Sequence, residues 1–239
     1  MSKRQQLREK RLKQQKQQRL IIIVMVIVGA LLIAAAMIYP SFKPVGDVLS
    51  ITPRTFNTTV SRNTLGDPNA LVRVDVWEDF QCPACASYTK QIEPLVISNY
   101  VETGKVFYTF HNYAFIDCQV ATKESQQAAS ASLCAADQER FWDYHDMLYT
   151  NWNGENQGAF NDKRLVAFAE DLGLDMQAFN TCFNGGRYSD SVKQELADGQ
   201  ALGITGTPSV FVNGIEVTPG YVPSFDQLSA SIDAALAGQ

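Results

Sequence analysis

Two cysteines separated by two residues, Cys82 and Cys85, flank Pro83 and Ala84 at the point where a β-branched run gives way to helical spacing. A thiol pair at that spacing can close a disulfide, open it on another chain's thiol, and close again. With Cys82 at the N-cap and Pro83 at the first helical position, the missing proline N–H costs nothing. The free N–H groups of Ala84 and Cys85 and the positive end of the helix dipole then aim at the Cys82 sulfur and favour its thiolate. Such placement lowers a cysteine pKa from about 8.5 into the range of about 3.5 to 7.5. Cys85, three residues on, shares that helix face and can resolve a mixed disulfide. Two other uses of the pair compete. A zinc site needs two further soft ligands, and the chain has neither a second CxxC nor an HxxxH. An inert structural bridge has no need of a helix start.

The elements that hold this pair follow from periodicity. Leu71 to Trp77 (LVRVDVW) is bounded by Gly66-Asp67-Pro68 and reads as a strand. From Pro83 to about Thr103 the apolar residues Tyr88, Ile92, Leu95, Val96 and Tyr100 recur at helical spacing, with a kink expected at Pro94. Gly104 stops that helix and Lys105 to Phe110 forms the next strand, so the order β, α, β implies a right-handed crossover and a parallel pair. Helical spacing then continues through 124–137, 140–152, 162–172, 175–183 and 189–202, with Asp162 and Asp175 as expected N-caps. Ser209 to Val212, Asn213-Gly214 and Ile215 to Val217 make a hairpin with a type I′ turn, and a last amphipathic helix covers 224–236. The fold class is α/β, a mixed sheet with a helical insertion at about 119–202.

Charge divides the chain of 239 residues in two. Residues 1–19 carry eight basic side chains against Glu9 alone, +7 within a total of −5, which leaves −12 for the rest. An acidic body excludes a nucleic-acid-binding domain, and 46% apolar residues exclude disorder. Leu20 to Tyr39 is an uncharged run of 20 residues, which at about 1.5 Å per residue spans roughly 30 Å of hydrocarbon. We read it as a transmembrane helix at 20–39 with a cytoplasmic tail at 1–19 and an extracytoplasmic remainder, by the excess of positive charge inside. A cleaved signal peptide, with Ala34 and Ala36 as its small residues, is the alternative. Residues 40–65, with Pro40, Pro44 and Pro53, read as a linker with a short strand near 56–60, and residues 66–239 as one domain. Outside the cytosol the five cysteines read as disulfides plus redox chemistry.

Three stretches in order, WEDFQCPAC (77–85), CAADQERFWDYHDMLY (134–149) and GITGTPSVFVNG (203–214), resemble the DsbA-like thiol–disulfide oxidoreductases of the bacterial envelope, a branch of the thioredoxin fold. The resemblance covers residues 66–239. It implies that Thr207-Pro208 is a cis peptide facing Cys82, where the backbone before the proline pairs with an extended substrate. It further implies exported cysteine-containing proteins as substrates, a membrane redox partner (a quinone-linked oxidase, or an electron donor if the direction is reversed), and no bound cofactor or metal. A structural disulfide between Cys134 and Cys182, with Cys118 free, is expected; Cys118 with either of the others is the alternative. The family's buried acid six residues before the first active-site cysteine is Val76 here. Glu78 lies on Val76's side if the strand extends that far, and Glu78 or water is the candidate proton relay, against a solvated strand end shared with Asp75 and Asp79. His111 and His145 read as structural. The function expected is disulfide donation by Cys82 and Cys85; a reductase or isomerase, or a tethered peptide-binding module without catalysis, are the alternatives.

Overall fold

The computed structural model describes residues 3–38, 46–119 and 122–238, with side chains for 16–35, 46–117 and 122–238. Cys118, Pro40 and Pro44 carry expectations that lie outside those side chains. The chain divides into two units, Met1–Val45 and Gly46–Gln239. In the first, helix α1 spans Lys3–Ile38. Its segment Lys16–Ala35 has a mean hydropathy of 2.5 and is long and apolar enough to cross a bilayer.

In the second unit, β1 (Val60–Ser61) and β2 (Thr64–Leu65) precede β3 (Val72–Glu78), α2 (Pro83–Gln91) and α3 (Glu93–Val96), which continues as a π-helical turn over Ile97–Val101. Then come β4 (Val106–Asn112), a 3-10 turn at Ile116–Gln119, α4 (Glu124–Ala136), α5 (Phe141–Thr150), α6 (Asp162–Asp171), α7 (Met176–Asn184) and α8 (Ser189–Ala201). The strands β5 (Ser209–Val212) and β6 (Ile215–Glu216) and helix α9 (Phe225–Ala237) close the chain. One six-stranded sheet has the order β1-β2-β4-β3-β5-β6. β3 and β4 pair in parallel, with Val74 opposite Tyr108, and β5 is antiparallel to β3, with Val76 opposite Val210. The five helices α4 to α8 form the insertion between β4 and β5.

Alternation along β3 sets the two faces of the sheet. Val72, Val74 and Val76 are fully buried and meet Tyr108 and Phe110 of β4 and Phe141 and Leu148 of α5 in the main core. Each such side chain contributes about 1.5–3 kcal/mol by leaving water. Trp77 points the other way, into a smaller cluster with Tyr113, Ile204 and Phe211. The β5–β6 turn holds Asn213 at φ 48° and Gly214 at φ 80°, the left-handed pair that a type I′ turn requires.

Three details differ from expectation. The stretch read as a linker to residue 65 joins the compact unit from Gly46 onward. Leu49 exchanges two hydrogen bonds with the Asn151 side chain, and Arg54 binds Glu93 and Asp146. The strand expected near 56–60 begins at Val60 and turns through Arg62 at φ 51°, so β2 can pair with β4. These contacts are made by backbone groups and one guanidinium, which leave no periodicity to read. Second, the helix after Cys82 does not merely bend at Pro94 but breaks at Ile92 (φ −114°), because the proline offers no N–H to the preceding turn. Third, Asn161 rather than Asp162 caps α6, accepting from the Arg164 N–H, while Asp175 caps α7 through two N–H groups.

Cys134 of α4 and Cys182 of α7 are joined by a disulfide with Cα atoms 5.8 Å apart, which excludes Cys118 from bonding to either. The bridge closes a loop of 48 residues. Replacing both cysteines by alanine is expected to cost about 4 kcal/mol, the loop entropy returned to the unfolded chain. Urea unfolding of the double variant measures it; a loss below about 1 kcal/mol would show that the insertion holds itself together without the bridge.

Candidate active site

β3 delivers the chain to the site and α2 starts there. Cys82 is the N-cap of α2 in extended conformation (φ −75°, ψ 123°), with Pro83 opening the helix. Its sulfur lies 3.3 Å from the Thr207 carbonyl, and the Thr207–Pro208 peptide is cis. CPAC, 125 residues upstream of Thr207, therefore faces the cis-proline turn. Cys82 is 7% exposed and Cys85 is fully buried behind it.

The two thiols are strongly unequal. The Cys85 thiol donates to the Cys82 sulfur, and this, together with Thr207 and the backbone N–H groups of Cys85 and Ala84, outweighs desolvation and lowers the Cys82 pKa to about 6. Burial pushes Cys85 well above the ordinary thiol range, helped by its donation to Cys82 and by the Glu78 carboxyl. Near neutral pH the pair is therefore one thiolate and one thiol, the starting state for attack by the outer sulfur.

Glu78 is 1% exposed, at the buried end of β3. Desolvation, then the charge of Glu93, raise its pKa well above the usual carboxylate range. It accepts a hydrogen bond from the Tyr149 hydroxyl at 2.7 Å and lies 3.5 Å from the Thr89 hydroxyl. Asp75 is on the opposite face, 3.1 Å from His111 Nε2; burial opposes the charge of His111, but Asp75 and Glu195 raise its pKa to about 9. Trp77 stacks on His111 at 4.3 Å. Asp79 parts company with both. Its pKa rises to about 7 through burial, yet its carboxylate accepts from the Gln81 and Ile116 N–H groups and the Ser125 hydroxyl. His145 is fully buried, with Nδ1 2.9 Å from Asp146 and Nε2 3.7 Å from Glu93.

Sequence reading overlooked three contributors. Glu93 is fully buried, 2.8 Å from Arg54, and its only trace is an acid in the apolar stripe of a helix. Tyr149 is one of several aromatic residues of α5, and nothing in its spacing sets it apart. Gln81, the residue before Cys82, is gripped by the insertion: its carbonyl accepts from Trp152 Nε1 and its side chain from the Asn156 N–H. Among the described residues no group of three His, Cys, Asp or Glu side chains could hold a metal ion.

A redox-capable CxxC at a helix start, opposite a cis-proline and carried on a mixed sheet, matches the family model described as Thioredoxin over residues 58–234. The chain belongs to the thioredoxin family. Within it, the chain is 28% identical over 180 residues to a protein of Bacillus anthracis named "probable disulfide bond formation protein D", covering 74% of this chain and 79% of that one. The fold is similar to crystal structures of oxidised BdbD from Bacillus subtilis (TM-score 0.64, 22% identity, 81% and 100% coverage) and of Chlamydia trachomatis DsbA (TM-score 0.61, 22% identity, 79% and 99% coverage). In this thioredoxin-family domain the helical insertion supplies Tyr149, which binds Glu78, and the segment after α5 supplies Trp152, which binds the Gln81 carbonyl.

Proposed function

We propose that this chain is a protein-disulfide oxidoreductase of the cell envelope that donates its Cys82–Cys85 disulfide to cysteines of exported proteins. The observation that carries this is the asymmetric thiol pair at the start of α2, with Cys82 beside the backbone of a cis X-Pro turn. The B. anthracis relative named for disulfide bond formation supports it.

A substrate chain laid along Thr207 and Pro208 presents its thiolate to the Cys82 sulfur. Attack there forms the mixed disulfide and breaks Cys82–Cys85. Cys85 departs and takes a proton, for which the protonated Glu78 is the donor in reach. A second substrate thiolate then attacks the substrate's own sulfur, and Cys82 leaves as a thiolate. Two electrons remain in the pair, to be removed by a membrane redox partner with its own disulfide, such as a quinone-linked oxidase. In this reading the basic tail at 1–19 lies in the cytoplasm, residues 20–39 are the anchor and the remainder lies outside, which the excess of positive charge before the apolar run supports.

The thiolate supports donation. A Cys82 pKa of about 6 instead of about 8.5 stabilises the reduced form by about 1.4 kcal/mol at pH 7, which raises the potential by about 30 mV. Equilibration with glutathione is expected to give a potential above about −200 mV, on the oxidising side of the glutaredoxins. A value near −300 mV would instead make the chain a reductase or isomerase supplied by an electron donor.

A further inference from the structure

Glu78 is buried, and one of its oxygens carries both of its side-chain contacts. Oε2 accepts from Tyr149 Oη of α5 at 2.7 Å and lies 3.5 Å from Thr89 Oγ1 of α2. Tyr149 and Thr89 both line a cleft of about 630 Å³, with Ser50, Arg54, Lys90 and Asp146 among its walls. Neither cysteine, Thr207 nor Pro208 borders this cleft. The molecule therefore has two sides at its redox centre: one where a partner's sulfur must dock, and one where the two residues that hydrogen-bond the buried carboxyl line a cleft.

That separation matters when the pair is recharged. Cys82 thiolate attacks the redox partner's disulfide, giving a mixed disulfide, and Cys85 must lose its proton before it can attack Cys82. At that moment the partner covers the Cys82 face. We propose that Tyr149 and Thr89 form the proton exit of the redox centre, passing the Cys85 proton from Glu78 to water in the cleft between α2 and α5. The proposal rests on the assignment of Cys82–Cys85 as the exchanging pair and Glu78 as its relay. The step balances as follows. Glu78, neutral again once the cleft has returned the proton it gave to Cys85, takes the Cys85 proton while its own passes to Tyr149 Oη and the tyrosine O–H goes to cleft water, so Glu78 and tyrosine both end neutral. The Cys85 sulfur forms its bond to Cys82 while the Cys82–partner bond breaks and the partner thiolate leaves with the electrons.

The groups around Glu78 suit a relay that is emptied outward. Cys82 and Cys85 face it from α2, Glu93 from α3, Tyr149 from α5, and Tyr88 and Tyr108 from α2 and β4. A carboxylate so surrounded by acids does not keep a negative charge cheaply, and exchange through a neutral hydroxyl leaves no extra charge behind. Glu78 Oε1 has no protein hydrogen-bond partner, which leaves Oε2 as the oxygen tied to the cleft. Tyr149 and Thr89 are positioning residues here, since neither touches the reacting sulfurs.

The test follows oxidation of the full-length reduced protein by glutathione disulfide from pH 5 to 8, with acid quench and mass analysis separating Cys82 glutathionylation from closure by Cys85. Tyr149→Phe is expected to slow closure about 10-fold while glutathionylation stays within about twofold, with a larger solvent deuterium isotope effect on closure. Thr89→Val adds to that loss, and neither change slows closure further in a Glu78→Gln background. If Tyr149→Phe and the double variant close at the wild-type rate while Glu78→Gln is slow, the exit is overturned and the relay stands. If Glu78→Gln itself closes at the wild-type rate, both fall. Equal slowing of both steps in Tyr149→Phe would mark a structural effect and also overturn the exit.

Discussion

Replacing Cys82 by serine is expected to abolish disulfide exchange, and in the reduced wild type iodoacetamide should label Cys82 with a midpoint near pH 6 while Cys85 stays unlabelled. The same thiolate makes the stability of the reduced protein pH-dependent. Its pKa is lower in the folded state, about 6 against about 8.5 unfolded, so the contribution is complete above pH 8.5 and is lost as pH falls through 6. The full span is about 3 to 4 kcal/mol. Urea unfolding of the reduced wild type and of Cys82→Ser across pH 5 to 9 should show the difference between them widening with pH by that amount. A labelling midpoint near 8.5, with no such widening, would leave a peptide-binding module and no reactive nucleophile.

Arg54→Met is expected to cost about 3–5 kcal/mol at pH 7 although Arg54 lies outside any regular element. Its guanidinium binds Glu93 Oε1 at 2.8 Å and Asp146 Oδ2 at 2.6 Å, and Glu93 is fully buried. Removing the cation strands a carboxylate in the core, and truncating one partner of a buried pair costs far more than the pair itself contributes. Adding Glu93→Gln should recover a large part of the loss, because the stranded charge is then gone. Denaturant unfolding of the two single variants and the double variant reads this coupling. A loss under about 1 kcal/mol for Arg54→Met would show that residues 46–56 lie on the domain without holding it.

Much of the site was legible before the structure because its ingredients are local. Pro83 after Cys82 marks a helix start, and a helix start next to a sulfur sets its chemistry within a few residues. Val76 and Glu78 share a face because side chains alternate along a strand, and the buried position of Glu78 follows from that parity. Asn213-Gly214 dictates its own turn. The cis state of Thr207–Pro208 is different: nothing local marks it, and only resemblance to related motifs raised it.

What the sequence by itself determined, then, is every element whose signal repeats within about four residues: the strand that ends at the CPAC turn, the helix that begins there, the five-helix insertion and the apolar run of α1. What the tertiary structure alone decided is which distant polar groups meet. Arg54 reaches Glu93 and Asp146, Tyr149 reaches Glu78 across 71 residues, and residues 46–65 leave the expected linker to become part of the domain. The physical reason is that periodicity records which side of an element faces away from water, whereas a buried charge has no periodicity. Its partner is fixed only when the helices of the insertion and the N-terminal segment close over the same face of the sheet.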